Sequence, residues 1–274
     1  MSEDSFTHDE PAVRAEMATT ASPDQVWRAF ADPGILSGWF TDRARGRARP
    51  GATMTWCFDR FRMELPYEVL VADAGERLVL KGSPVGRPPY LFEVRIERDA
   101  DLTRLKLVNS GFSFGQQTEE QYEGVLSGWQ MALAILKQYL ENHFGRTRET
   151  FFAMQPAPFA YEQMPALFRQ EAGLARWLTE RGSVGNPGDR YSLTLRGGEA
   201  MTGTVLAVTS REVALSWEEI GGVVELKAFQ LGPRARAVSV RGCGWGLAEE
   251  RAEGIERMMA GAIDRLVAAL HDPR

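Results

Sequence analysis

A chain of 274 residues, 44% hydrophobic and 25% charged, has the composition of a globular protein of one or two domains. Its net charge of −5 argues against a nucleic-acid partner, which would demand a basic face, and no run approaches the roughly 20 apolar residues of a membrane span. The first residues, MSEDSFTHDEP, are acidic, with no apolar core and no basic flank, so the expected location is the cytoplasm.

In chain order, Val13 to Ala21 reads as a short strand. SPDQVWRAF follows, with Ser22 as N-cap, Pro23 in the first helical position and Gln25 completing a capping box, so a short helix begins here. Val26, Trp27 and Phe30 share its inward face, and DPGIL (Asp32 to Leu36) breaks the run before Trp39. In RARGRAR the alternating Arg43, Arg45, Arg47 and Arg49 share one face of an extended segment. A solvated edge strand explains them more simply than an anion site. Strands are then predicted around Met54 to Tyr67, Glu68 to Ala72, Arg77 to Lys81, Leu91 to Arg98 and Thr103 to Asn109, with DAGE and RDADLT as hairpin turns. From about Glu119 to Asn142 the period changes to 3.6. Tyr122, Val125, Trp129, Leu133, Leu136 and Leu140 make one apolar stripe along a helix longer than about 30 Å.

The chain then repeats itself. LSGWFTDR (from Leu36) and LARWLTER (from Leu174) share Leu, Trp, Thr and Arg at identical spacing. RPG faces NPG, YEVLVADAGERLVL faces GTVLAVTSREVALS, and the closing helix of the first half resembles EGIERMMAGAIDRLVAAL. The second copy is predicted to hold a strand near Thr147 to Gln155, a short helix around Met164 to Trp177, strands from Tyr191 to Arg241 and a last helix striped by Ile255, Met259, Ile263, Leu266 and Leu270. Ala160 stands where Ser22 caps the first copy, so the second short helix should fray or start later. Two domains are expected, 1–145 and 146–274, with the second shortened and structural.

Consecutive antiparallel hairpins framed by a short helix and a long one bury their apolar face by wrapping the sheet around the long helix, which makes the fold class α+β, two tandem helix-grip domains. VWRAFADPGILSGWFTD, YEVLVADAGERLVL and GWQMALAILKQYLE resemble the start, middle and closing helix of bacterial proteins similar to the C-terminal domain of the Hsp90 ATPase activator, in the START-like (SRPBCC) superfamily. The resemblance implies a deep cavity between sheet and helix that holds an apolar ligand. It supplies no reaction.

Catalytic signatures are sparse. His8, His143 and His271 are scattered, the latter two each after a long helix, where capping is the simpler role. No metal motif, phosphate loop, nucleophile elbow or dinucleotide fingerprint occurs, so no metal and no cofactor are expected. GCGWG (Gly242 to Gly246) reads as a turn, and Cys57 and Cys243 form no CxxC pair. Glu64, Glu68 and Glu93 lie on or beside strands; alternation puts Glu93 on the outer, solvated face.

The aromatic residues carry more. Trp39, Phe40, Trp56, Phe58, Phe92, Trp129 and Leu133 map to elements that surround the space between sheet and helix, with Asn109 as a polar orienter. Trp39 is matched by Trp177 and serves the fold in both copies. Trp56 and Phe58 have no aromatic counterpart in YSLTLRGG, and Met258 and Met259 point to filling by flexible side chains in the second copy. The expected function is non-catalytic binding of a small hydrophobic or aromatic molecule by the first domain. The alternatives are a START-like enzyme of cyclase, dehydratase or hydrolase type using a cavity carboxylate, and a chaperone-interaction module. Against the module, no separate chaperone-binding domain accompanies the repeats, so a protein partner is not indicated.

Overall fold

The structure is a computed structural model that describes residues 12–83, 89–111, 116–232 and 235–271. His8 lies outside the described residues. The chain divides into two compact units, Met1–Gly145 and Arg146–Arg274.

In the first unit, β1 (Val13–Thr19) leads into α1 (Pro23–Ala31) and the single-turn α2 (Pro33–Ser37). The Ser22 capping box forms: Gln25 N donates to Ser22 Oγ at 3.2 Å and Ser22 N to Gln25 Oε1 at 3.0 Å. Then come β2 (Arg43–Gly46), β3 (Thr53–Phe58), β4 (Met63–Asp73), β5 (Arg77–Gly82), β6 (Tyr90–Asp99), β7 (Leu102–Asn109) and the long helix α3 (Gln116–Asn142). The sheet order β1-β7-β6-β5-β4-β3-β2 is antiparallel throughout. The region expected as one strand from Met54 to Tyr67 is a hairpin. A 3-10 turn over Asp59–Phe61 and a left-handed Arg62 (φ 50°) reverse the chain, so Tyr67 lies within β4 rather than at a strand end.

The second unit repeats the plan with β8 (Arg148–Pro156), α4 (Met164–Arg169), α5 (Glu171–Ala175), β9 (Thr179–Arg181), β10 (Arg190–Leu195), β11 (Ala200–Val208), β12 (Glu212–Trp217), β13 (Gly222–Gly232), β14 (Ala235–Trp245) and α6 (Glu249–His271). Its order, β8-β14-β13-β12-β11-β10-β9, is that of the first sheet, strand for strand. With Ala160 in place of the capping serine, a 3-10 turn at Tyr161–Gln163 precedes a six-residue α4, against nine residues in α1. Half of the box survives, as Ala160 N donates to Gln163 Oε1 at 3.2 Å.

Two expectations need correction. GCGWG is not a turn: Gly242 to Trp245 belong to β14, and only Gly246 (φ 79°) turns the chain. The glycine is needed inside the strand because a Cβ on Gly242 would lie 2.3 Å from the Phe151 ring. Likewise His271 is the last residue of α6 rather than a residue beyond it.

Each long helix is gripped by its sheet. In the second unit Ile255, Met259, Ile263 and Leu266 join Leu193, Leu195, Val224, Leu226, Val238 and Val240 in one core. In the first, Trp129 of α3 meets Phe92 of β6 with ring centroids 5.1 Å apart, and Glu141 ties the helix end to β1 by accepting from Thr19 Oγ1 at 2.9 Å and Thr20 N at 3.1 Å. Among the described residues no helix is long and apolar enough to cross a membrane.

Candidate functional site

The two equivalent tryptophans act first as scaffold. Trp39 Nε1 donates to the carbonyl of Ala29 at 2.8 Å, and Trp177 Nε1 to that of Leu167, also at 2.8 Å. In each unit this bond pins the chain after the second short helix to the end of the first. Trp39 is 2% exposed and stands edge-on to Phe30.

That anchor delivers the next residue, Phe40, onto the sheet. Its ring lies 5.4 Å from Trp56, 5.7 Å from Phe58 and 5.0 Å from Trp39, and stacks on Trp129 at 5.4 Å with 20° between planes. Trp56 in turn meets Phe92 at 5.2 Å and Tyr67 at 4.6 Å. The structure therefore brings Trp39, Phe40, Trp56, Phe58, Phe92 and Trp129 into one continuous aromatic set. Trp56 and Phe92 form its buried floor, while Phe40, Phe58 and Trp129 are half-buried at its accessible side. Leu133 is buried one turn along α3 from Trp129. Asn109 pairs with Phe92 in the sheet register, and its amide nitrogen donates to the Leu91 carbonyl at 3.2 Å, at the rim of the same face.

Two residues absent from the sequence expectation complete the face. Tyr67, Gly82 and Tyr90 are direct neighbours across β4, β5 and β6. Because Gly82 carries no side chain, the two tyrosines lean over it and their hydroxyls meet at 3.0 Å. A Cβ on Gly82 would sit 2.4 Å from the Tyr90 ring, and one on Gly111 2.5 Å from Tyr90 Cβ, so both glycines are required to seat that ring. Burial, then the neighbouring Tyr90, pushes the Tyr67 phenol well above its usual value, so it stays protonated. Trp56 Nε1 is buried with no hydrogen-bond partner among the described residues.

The second unit shows what the fold needs without this set. At the register positions of Trp56, Phe58 and Phe92 stand Leu193, Leu195 and Val224; Leu178 and Met259 take the places of Phe40 and Trp129. All five are at most 3% exposed within one core. The tyrosine row is inverted: Gly203, Trp217 and Gly222 replace Tyr67, Gly82 and Tyr90. Tyr191 donates its hydroxyl to the Ser216 carbonyl.

The carboxylates lie elsewhere. Glu93 is on the outer face as alternation requires, but it is 1% exposed rather than solvated, because Arg77 and Arg95 close over it at 2.8 and 2.6 Å. Glu64 pairs with Arg45 at 2.6 Å and Glu68 approaches Lys81 at 4.0 Å, both exposed. Arg43 is bidentate on Asp59 at 2.7 Å, so the first two arginines of RARGRAR are an ion-paired edge strand. Among the described residues no cluster of His, Cys, Asp or Glu could hold a metal ion. Cys57 and Cys243 are buried free thiols, and burial raises the Cys243 thiol above its usual range.

Comparison with known proteins finds one family and several solved structures. The family described as Activator of Hsp90 ATPase homolog 1-like protein matches residues 20–141. Among solved structures, DynU16, from the dynemicin biosynthetic locus, is 19% identical, with 96% of this chain and 99% of that chain covered and a TM-score of 0.43. CalU16 from Micromonospora echinospora is 25% identical over 47% of this chain and 75% of its own, with a TM-score of 0.40. The di-domain ARO/CYC BexL, from the BE-7585A biosynthetic pathway, is 11% identical over 95% and 98%, with a TM-score of 0.44. No curated protein matches. That family match spans most of the first unit, and the second unit repeats the same sheet order and closing long helix, so the chain is a tandem repeat of one fold whose first copy is similar to the activator of Hsp90 ATPase homolog 1-like family.

Proposed function

We propose that the first unit binds a small hydrophobic or aromatic molecule on the Trp56, Phe58, Phe92 and Trp129 face without transforming it, and that the second unit is a structural copy. The observation that carries this reading is the asymmetry between two copies of one fold. The second unit closes its core with Leu178, Leu193, Leu195, Val224 and Met259, all buried. The first keeps five aromatic rings at those positions and leaves three half-buried. Large aromatic surface retained where aliphatic packing suffices is the composition of a ligand face, with flat rings offering dispersion contact at little entropic cost. Phe40 is then the movable cover. Its ring is half-buried and touches four others through apolar contact, whereas the side chain of its neighbour Trp39 is buried and anchored by a hydrogen bond. Glu93, the one fully buried carboxylate among the three candidates, is tied to two arginines on the opposite face of the sheet, which favours binding over acid–base chemistry.

Titration of the full chain with the neutral fluorophore N-phenyl-1-naphthylamine tests the proposal. One saturable site is expected, weakened about tenfold or more by Phe58→Asp, which puts a charge on the ligand face. Binding that never saturates, or that survives Phe58→Asp unchanged, would overturn it.

A further inference from the structure

The aromatic face of the first unit holds more hydrogen-bond donors than acceptors to receive them. Trp56 Nε1 is a donor only, it is buried, and among the described residues it has no partner. The Trp56 ring packs against that of Tyr67, with centroids 4.6 Å apart, and the Tyr67 hydroxyl is in turn paired with that of Tyr90 on the same face of the sheet. Within such a pair one O–H donates to the other oxygen, so one proton is spent and the second hydroxyl keeps its proton for an acceptor outside the pair. Tyr67 is 4% exposed, which removes water as the ready alternative for its end of the pair. Two glycines are committed to holding this arrangement, since a Cβ at Gly82 or Gly111 would collide with Tyr90. A buried donor left unpaired is costly, so a built cluster of them implies an acceptor supplied from outside the chain.

The charge of that acceptor follows from where the cations are. Arg43 and Arg45 pair in register with Cys57 and Thr55, which puts them on the face of β3 opposite Trp56, and both are held there by Asp59 and Glu64. Arg77 and Arg95 are likewise committed to Glu93 on the outer face. Among the described residues, the donors facing the ring set are neutral N–H and O–H groups, suited to a neutral oxygen rather than a carboxylate or phosphate.

We propose that the first unit selects a flat, uncharged ligand bearing a carbonyl oxygen, which accepts from Trp56 Nε1 and from the outward hydroxyl of the Tyr67–Tyr90 pair while its ring system lies against Phe58, Phe92 and Trp129. This rests on the ligand-binding reading above and adds the chemical class. The second unit supplies an internal control. Trp217 Nε1 is also buried without a partner among the described residues, but it stands alone: Tyr191, the tyrosine of that sheet, spends its hydroxyl on the Ser216 carbonyl.

The test is a pair of probes of nearly the same outline, 9-fluorenone and fluorene, which differ in one carbonyl oxygen, titrated calorimetrically into the full chain. Fluorenone should bind at least about fivefold tighter than fluorene, the selectivity expected of one or two buried neutral hydrogen bonds. Trp56→Phe, and separately the double change Tyr67→Phe with Tyr90→Phe, should each bring the fluorenone-to-fluorene affinity ratio most of the way back to one, whatever each does to fluorene affinity itself. Trp217→Phe should alter neither. Equal affinities of the parent for the two probes, or a preference untouched by both sets of changes, would overturn the donor assignment and leave apolar binding standing. Binding of neither probe would overturn the ligand face itself. Melting curves of each variant identify loss of fold, and since the two sets of changes remove different groups, one folded set is enough to decide between these outcomes.

Discussion

Replacing Phe40 by alanine should separate a cover from a core residue. Truncating a fully buried phenylalanine costs about 3–5 kcal/mol. Phe40 is only half-buried, so about 2 kcal/mol is expected, seen calorimetrically as a fall of roughly 6–8 °C in the melting of the first unit. The loss exposes the faces of Trp56 and Trp129 that the ring had covered at 5.4 Å. A flat probe can then take the vacated place. N-phenyl-1-naphthylamine at one hundred times its dissociation constant should return about 2.7 kcal/mol by mass action, enough to offset the lost ring. Leu178→Ala makes the matching change in the second unit, where the side chain is 3% exposed within a closed aliphatic core. It should cost about 2–5 kcal/mol and gain nothing from the probe. Calorimetry that resolves the two transitions gives the answer. A probe that rescues Leu178→Ala as well as Phe40→Ala, or that rescues neither, would refute the reasoning that Phe40 covers a ligand face.

Other outcomes follow from the same contacts. Trp39→Phe and Trp177→Phe each strand a buried carbonyl, of Ala29 and Leu167, and should lower stability by about 1–3 kcal/mol in their own units, checked by chemical denaturation. Ser22→Ala should cost about 1 kcal/mol and Ala160→Ser should gain up to about 1 kcal/mol as the missing cap is restored, read from melting temperatures. Glu141 titrates below the ordinary carboxylate value of 4.5: burial alone would raise it, but the bonds from Lys137, Thr20 and Thr19 outweigh that. Because the folded carboxyl holds its proton less tightly than the unfolded one, its contribution is complete above about pH 4.5 and is lost as pH falls through the depressed folded value. Glu141→Gln should therefore flatten the acid limb of the first unit's stability curve below pH 4.5. A fragment of residues 1–145 should fold alone, with the circular dichroism of a helix and sheet protein, since each unit carries a seven-stranded sheet and its own long helix.

Much of the fold was legible because the chain states it twice. Trp39 and Trp177 stand at matching positions, and each proves to make the same bond to a carbonyl ten residues back. The missing cap at Ala160 foretold the shorter second helix because capping is a local interaction. Where meaning depended on register, sequence alone fell short. Tyr67 looked like a strand end until the turn at Asp59–Phe61 and Arg62 placed it inside β4. Its meeting with Tyr90 needs Gly82 between them, a coincidence of three strands that no single segment displays. Glu93 was assigned to the correct face, but its burial comes from Arg77 and Arg95, one on a neighbouring strand and the other two residues along its own. GCGWG misled because glycine signals turns far more often than it signals a strand overlaid by an aromatic ring such as Phe151.

The most direct test of ligand binding by the first unit is a crystal structure of the full chain with 9-fluorenone bound. It should show the fused rings against Phe58, Phe92 and Trp129 of the first unit, the carbonyl oxygen within hydrogen-bond reach of Trp56 Nε1, Phe40 moved aside, and the second core unchanged. A ligand lodged among Leu193, Leu195 and Met259 instead, with the first unit's rings still packed on one another, would contradict it.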